Sequence, residues 1–128
     1  MIIADTDVLI DFLKGDGRAA DRIELELKQG LCTTVVTAFE LWNGAIGSLR
    51  RERAIDILLG ALKIIPLDQN AAQIASKVRY DLQKKGITIG MADSLIAGIC
   101  ISERAIFLTR KTKHFNKIND LFLGSIDS

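Results

Sequence analysis

Short apolar runs alternate along this chain with longer segments whose apolar positions recur at helical spacing. The runs are MIIA (1–4), LCTT (31–34), LKII (62–65) and AIFLT (105–109). Helical patterns occupy about 8–14, 16–29, 35–47, 50–61, 69–85 and 91–102. Gly15, Gly30 and Gly86 punctuate them as stops, and the single proline, Pro66, ends the LKII run. The segment DLFLGSID (120–127) predicts a last edge strand. Apolar strands separated by helices specify a parallel sheet covered on both faces, because each helix buries its apolar stripe against the strands. The expected fold class is therefore α/β, three layers α/β/α around a mainly parallel sheet, with one domain over 1–128.

This architecture locates the chemistry. Open parallel sheets bind ligands beyond the carboxyl ends of their strands. Asp5 directly follows the first strand, so it belongs on that edge. Glu40 lies in the first two turns of the helix after LCTT, which begins on the same edge. The helix starting near Met91 runs back towards the next strand, which puts Asp93 in its first turn and on that edge too. FLTRK leaves the sheet there as well, so distant parts of the chain converge on one rim.

Composition narrows the choices. At 128 residues, 48% apolar and 26% charged, the chain suits one ordinary globular core rather than disorder. With 17 Lys plus Arg against 16 Asp plus Glu, any attraction to nucleic acid must come from local patches. Basic residues cluster at Arg50, Arg51 and Arg53, at Lys84 and Lys85, and at Arg110, Lys111, Lys113 and Lys117. The first two clusters suit solvated helix faces. Cys32 and Cys100 stand apart among apolar neighbours, with neither CxxC nor zinc spacing, and are expected as reduced core thiols. The longest apolar run, ITIGMADSLIAGICI, has 15 residues and contains an Asp. A membrane span needs about 20, so a soluble cytoplasmic protein is expected.

Most acids have an ordinary local partner. Asp11 has Lys14 at i+3, Glu24 has Lys28 at i+4, and Asp81 has Lys84 and Lys85. Each such pair is worth only about 0.2–0.5 kcal/mol on a helix surface. Asp5, Glu40 and Asp93 have none. Taken singly, each has a bland explanation: Asp5 and Asp7 as turn and cap residues, Glu40 reaching solvent, Asp93 favoured by the helix dipole. Gathered on one partly apolar rim, however, they repel one another and lose hydration, so they must take up protons or bind a cation. Hard oxygen donors suit Mg²⁺ or Mn²⁺, an ion that can polarise a phosphate and activate water. No Ser–His–Asp or Cys–His arrangement competes, since His114 is the single histidine.

In order and spacing, ADTDVLIDFL, TAFELWNGA, GMADSLIAGIC and IFLTRKTKHF resemble the four motif regions of PIN-domain ribonucleases. The nearest subgroup is the VapC-type toxins of prokaryotic toxin–antitoxin pairs. The resemblance implies a three-layer domain and Mg²⁺- or Mn²⁺-dependent endonuclease action on RNA. It makes Asp5 the central metal ligand, Asp93 the second and Glu40 the third carboxylate. Thr6 and Thr109 match family hydroxyls near the site, and Asp7 takes a position often filled by Asn or Ser, an auxiliary place. The chain departs from the pattern at Lys111 and His114, where the family commonly has Asn or Asp and then Asp or Glu; one well-held ion is the expectation. His114 is expected at the surface or towards substrate. Arg110, Lys111 and Lys113 are expected to hold RNA phosphates. The resemblance also implies a protein antitoxin as partner and a homodimer, with Trp42 and Leu49 as candidates for an apolar patch, although Trp42 suits the core better.

Two other readings remain open. DTDV after an apolar strand fits a haloacid-dehalogenase-type phosphatase, with Asp5 as nucleophile and Asp7 as acid/base. The Lys111 and His114 departures fit a degenerate PIN fold that binds RNA or protein without cutting.

Overall fold

A computed structural model describes residues 1–126. In chain order these form β1 (Ile2–Ala4), α1 (Thr6–Lys14), α2 (Gly17–Leu27), β2 (Cys32–Thr34), α3 (Val35–Ala45), α4 (Leu49–Gly60), β3 (Lys63–Ile65), α5 (Gln69–Lys84), α6 (Met91–Glu103), β4 (Ile106–Leu108), α7 (Thr112–Phe115) and β5 (Phe122–Gly124). The strands make one five-stranded sheet in the order β3-β2-β1-β4-β5, and every pairing is parallel. Ile3 at the centre pairs with Cys32 on one side and Phe107 on the other.

Strand alternation divides the apolar side chains between two cores. Ile3, Cys32, Ile65 and Phe107 face one side, packed with Ala71, Leu82, Ile96, Ile99 and Cys100 of α5 and α6. Ala4 and Leu108, one residue on, face the other, packed with Val8, Leu9, Ile23, Leu41, Ile55 and Leu58 of α1 to α4. The three-layer α/β/α class expected from the apolar runs is the one observed. Within the first core, α5 and α6 approach so closely that a Cβ at Gly98 would lie 2.8 Å from the Ala75 Cβ and 2.9 Å from its backbone nitrogen. Only glycine fits there.

Helix ends follow local chemistry. Asp5, Thr34, Ser48 and Asp68 cap α1, α3, α4 and α5 by accepting backbone N–H groups. Gly15, at φ 73°, closes α1 in the left-handed conformation. Because Asp5 is the cap, α1 begins at Thr6, earlier than the apolar pattern from residue 8 indicates. The short helix α7 was not foreseen: four residues give no readable period. DLFLGSID supplies β5 over Phe122–Gly124, at the sheet edge as expected, while its Asp127 lies outside the described residues. Trp42 is 45% exposed, correcting its placement in the core; its indole donates to Asp56 at 3.2 Å. Both cysteines are free and buried, as expected. Among the described residues, no helix is long and apolar enough to cross a membrane.

Candidate active site at the carboxyl edge of the sheet

The chain leaves β1 to one side of the sheet and β4 to the other, so the strand order reverses between these neighbours. That reversal opens a crevice at their carboxyl ends. Asp5 sits in it. Its backbone N–H donates to the Leu108 carbonyl at 2.8 Å, tying the end of β1 to β4. Its side chain is 1% exposed, with both oxygens held: Oδ1 accepts the Thr6 amide at 2.8 Å and Oδ2 accepts the Thr109 hydroxyl at 2.7 Å. Burial pushes the Asp5 carboxyl up to about 6; the Thr109 hydrogen bond opposes this, the Asp7 charge adds to it, and Lys111 opposes it.

Glu40 joins the site through a ladder of hydroxyls. Thr34 caps α3 by accepting the Thr37 amide at 3.0 Å, and its hydroxyl donates to Thr37 Oγ1 at 3.3 Å. Thr6 Oγ1 lies 3.3 Å from Thr37 Oγ1 and donates to Glu40 Oε1 at 2.8 Å. Thr6 therefore touches Asp5 with its amide and Glu40 with its hydroxyl. Thr34 and Thr37, both buried, were missed in sequence; their signal was the unusual threonine content at the end of an apolar strand.

Asp93 stands in the first turn of α6 behind an N-cap, Gly90, that offers no side chain. Basic groups from the segment after β4 enclose it. Lys111 Nζ lies 3.3 and 3.5 Å from its oxygens, and His114 Nε2 lies 3.0 Å from Oδ2. The same Lys111 ammonium is 4.0 Å from Asp5 Oδ2. Phe115, fully buried against Phe107 with ring centroids 5.0 Å apart, anchors α7 and so fixes where His114 and Lys111 arise.

Asp7 accepts the Arg110 amide on Oδ2 at 3.2 Å, and its buried Oδ1 has no hydrogen-bond partner among the described residues. Arg110 spends its guanidinium on Asp11 at 3.1 Å, so Asp11 answers Arg110 across the fold rather than the Lys14 read from its helix. The expected phosphate contacts thus divide. Arg110 and Lys111 are held by carboxylates of this chain, and Lys113 is exposed on α7. His114 is exposed at the surface beside Phe115, as expected, and from there reaches Asp93.

The donor chemistry fits a hard divalent cation. A buried Asp5 carboxyl whose pKa burial raises to about 6, an orphaned Asp7 oxygen and a positive group between Asp5 and Asp93 mark a place that favours cationic charge. Among the described residues no three acidic, histidine or cysteine groups close on a single point. Asp5, Glu40 and Asp93, expected together as ligands, thus share one rim without closing into a ready-made three-carboxylate cage.

A family model described as "PIN domain" matches residues 2–121. The chain belongs to the PIN-domain family. Its similarity reaches ribonuclease VapC1 of Methanocaldococcus jannaschii, 29% identical over 98% of this chain and 87% of the relative. The tRNA(fMet)-specific endonuclease VapC of Shigella flexneri is 31% identical over 91% of each. Among solved structures, the VapBC2 complex of Rickettsia felis with a promoter DNA fragment contains a chain that superposes with TM-score 0.88 at 27% identity, covering 97% of this chain and 98% of that one. This PIN domain is thus VapC-like along nearly its whole length, and the family expected from the four motifs is the family found.

Proposed function

We propose that this PIN domain is a divalent-metal-dependent endoribonuclease, the toxin of a toxin–antitoxin pair, acting in the cytoplasm. The observation that carries the reading is Asp5, buried at the strand reversal, linked through Thr6 to Glu40 and across the Lys111 ammonium to Asp93. Asp5 and Asp93 are the residues that would hold Mg²⁺ or Mn²⁺, with Glu40 as the third carboxylate. Such an ion supplies a Lewis acid for the phosphate and lowers the pKa of bound water.

The chain's own groups do the positioning. Thr109 and Thr6 fix the two Asp5 oxygens, so that carboxylate cannot rotate away. Glu40, which accepts the Thr6 hydroxyl at 2.8 Å, would accept a proton from attacking water. Lys113 faces solvent beside the acidic rim and would hold a flanking RNA phosphate, with Arg110 as a second contact if it exchanges Asp11 for phosphate.

RNA cleavage tests the reading directly. Single-stranded RNA should be cut in Mg²⁺ or Mn²⁺, and not in chelator or by Asp5→Asn. RNA binding without cleavage under every metal condition would instead favour the binding-module reading, for which the basic enclosure of Asp93 is the supporting observation. The phosphatase reading falls with the family match. A protein antitoxin is the expected partner, because chains from toxin–antitoxin complexes superpose on this one. A homodimer would use the apolar face of α3 and α4, where Phe39, Ile46 and Leu49 are 65, 73 and 72% exposed.

A further inference from the structure

Lys111 does not behave as a surface lysine waiting for phosphate. Its backbone N–H donates to the Thr109 hydroxyl at 3.0 Å, the same hydroxyl that donates to Asp5. Its side chain passes the Phe115 ring, with Nζ 5.4 Å from the centroid, and ends within 3.5 Å of both Asp93 oxygens and 4.0 Å of Asp5. His114 also contacts Asp93 Oδ2. Both oxygens of Asp93 are therefore engaged by basic side chains of this chain. A cation approaching Asp93 therefore meets the Lys111 charge at both oxygens.

We infer that the Lys111 ammonium is a tethered counter-ion of the acidic centre, occupying the gap between Asp5 and Asp93 and competing there with the divalent ion. The inference rests on reading this centre as a metal site. A side chain anchored beside its partner carboxylate competes at an effective concentration in the millimolar range or above, whatever the composition of the solution. The ammonium offsets one negative charge of the rim when no metal is present. It also raises the free-metal concentration needed to load the site. When the ion enters, Lys111 must leave Asp93, and its charge is then released on the side of the rim facing solvent, where an RNA phosphate would lie. Metal loading and the freeing of a phosphate-binding cation become one event.

Mn²⁺ titration of the RNA-free protein, followed by electron paramagnetic resonance and calorimetry, tests this without reference to cleavage. Lys111→Met keeps the side chain's length and removes its charge; it should bind Mn²⁺ about tenfold more tightly than the natural chain, or better. Lys111→Arg, which keeps a cation, should stay near the natural affinity. With Asp93→Asn already present, Lys111→Met should produce a much smaller gain, because the contested ligand is gone. Equal or weaker Mn²⁺ binding by Lys111→Met overturns the inference while leaving the metal reading intact. An undiminished gain in the Asp93→Asn background overturns it as well. Failure of every folded variant, and of the natural chain, to bind Mn²⁺ overturns both, so the two failures are distinguishable. Melting temperatures of each variant confirm that a folded protein was titrated.

Discussion

The Thr109 hydroxyl donates to Asp5 Oδ2 at 2.7 Å across the boundary between the first and fourth strands. It has one proton to give. Because it also accepts the Lys111 amide at 3.0 Å, that proton is directed to the carboxylate and cannot serve the Asp7 oxygen 3.5 Å away. One buried hydroxyl thus orients the central acid and the base of the lysine loop together.

The position of Asp5 has a pH signature. In the unfolded chain its carboxyl ionises near 3.8, whereas burial holds it protonated up to about 6 in the fold. Between these values the folded state binds more protons, so stability falls as pH rises, and the loss is complete above the folded value. The difference amounts to about 3 kcal/mol. Asp5→Asn carries no charge to desolvate. In metal-free buffer its melting temperature, measured relative to the natural chain, should rise as pH is raised from 4 to 7. Any fixed offset from imperfect amide hydrogen bonding does not change with pH, and a pH-independent gap would refute the assignment. Divalent metal should raise the melting temperature of the natural chain and leave Asp5→Asn unmoved.

Thr6→Val separates orientation from capping. The substitution keeps the amide that Asp5 accepts and removes the hydroxyl that holds Glu40. Groups that orient first-contact carboxylates typically matter by 10–100-fold, so RNA cleavage should fall by about that factor. Thr6→Ser should restore most of it. If Thr6→Val cuts RNA at the natural rate, Glu40 needs no support from this side and the hydroxyl ladder is structural only.

Much of this was legible in the chain. MIIA, LCTT and AIFLT fixed the strands because short apolar runs between helices have few alternatives, and the strands in turn put Asp5, Glu40 and Asp93 on one edge. What the pattern could not carry was side-chain direction across long separations. Arg110 and Asp11 are far apart in sequence and pair across the fold, which no i+3 or i+4 count reveals. Lys111, expected as a phosphate contact beside the acidic rim, passes the Phe115 ring to pair with Asp93, a partner that its position in sequence does not reveal. Trp42 looked like core because large aromatics usually are, yet α3 presents it outwards.

RNA binding should distinguish Lys111, paired with Asp93, from Lys113. Lys113 is exposed on α7, so Lys113→Ala should weaken RNA binding about equally across sequences. It should also reduce the slope of log affinity against log salt by about 0.7, as expected for one single-strand phosphate contact. Lys111→Ala, in metal-free buffer, should leave that slope nearly unchanged, because its charge is already spent on Asp93. Filter binding across a salt series measures both; a larger slope change for Lys111 would mean that it leaves the acidic centre before metal arrives.

The outward face of α3 and α4 makes a separate claim. Phe39, Trp42, Ile46, Leu49 and Ile57 are all exposed there, and large apolar groups concentrated on neighbouring helices mark an interaction surface more than a solvated one. None of them belongs to the acidic rim, so a substitution can disturb assembly without touching chemistry. Ile46 is 73% exposed at the end of α3, and Ile46→Glu adds a charge that water accommodates in a monomer and a dimer interface does not. Light scattering across protein concentration should show the natural chain associating and Ile46→Glu remaining monomeric, with an unchanged far-ultraviolet spectrum. If the two chains sediment and scatter alike as dimers, self-association uses another surface and the α3–α4 face is left for a different partner.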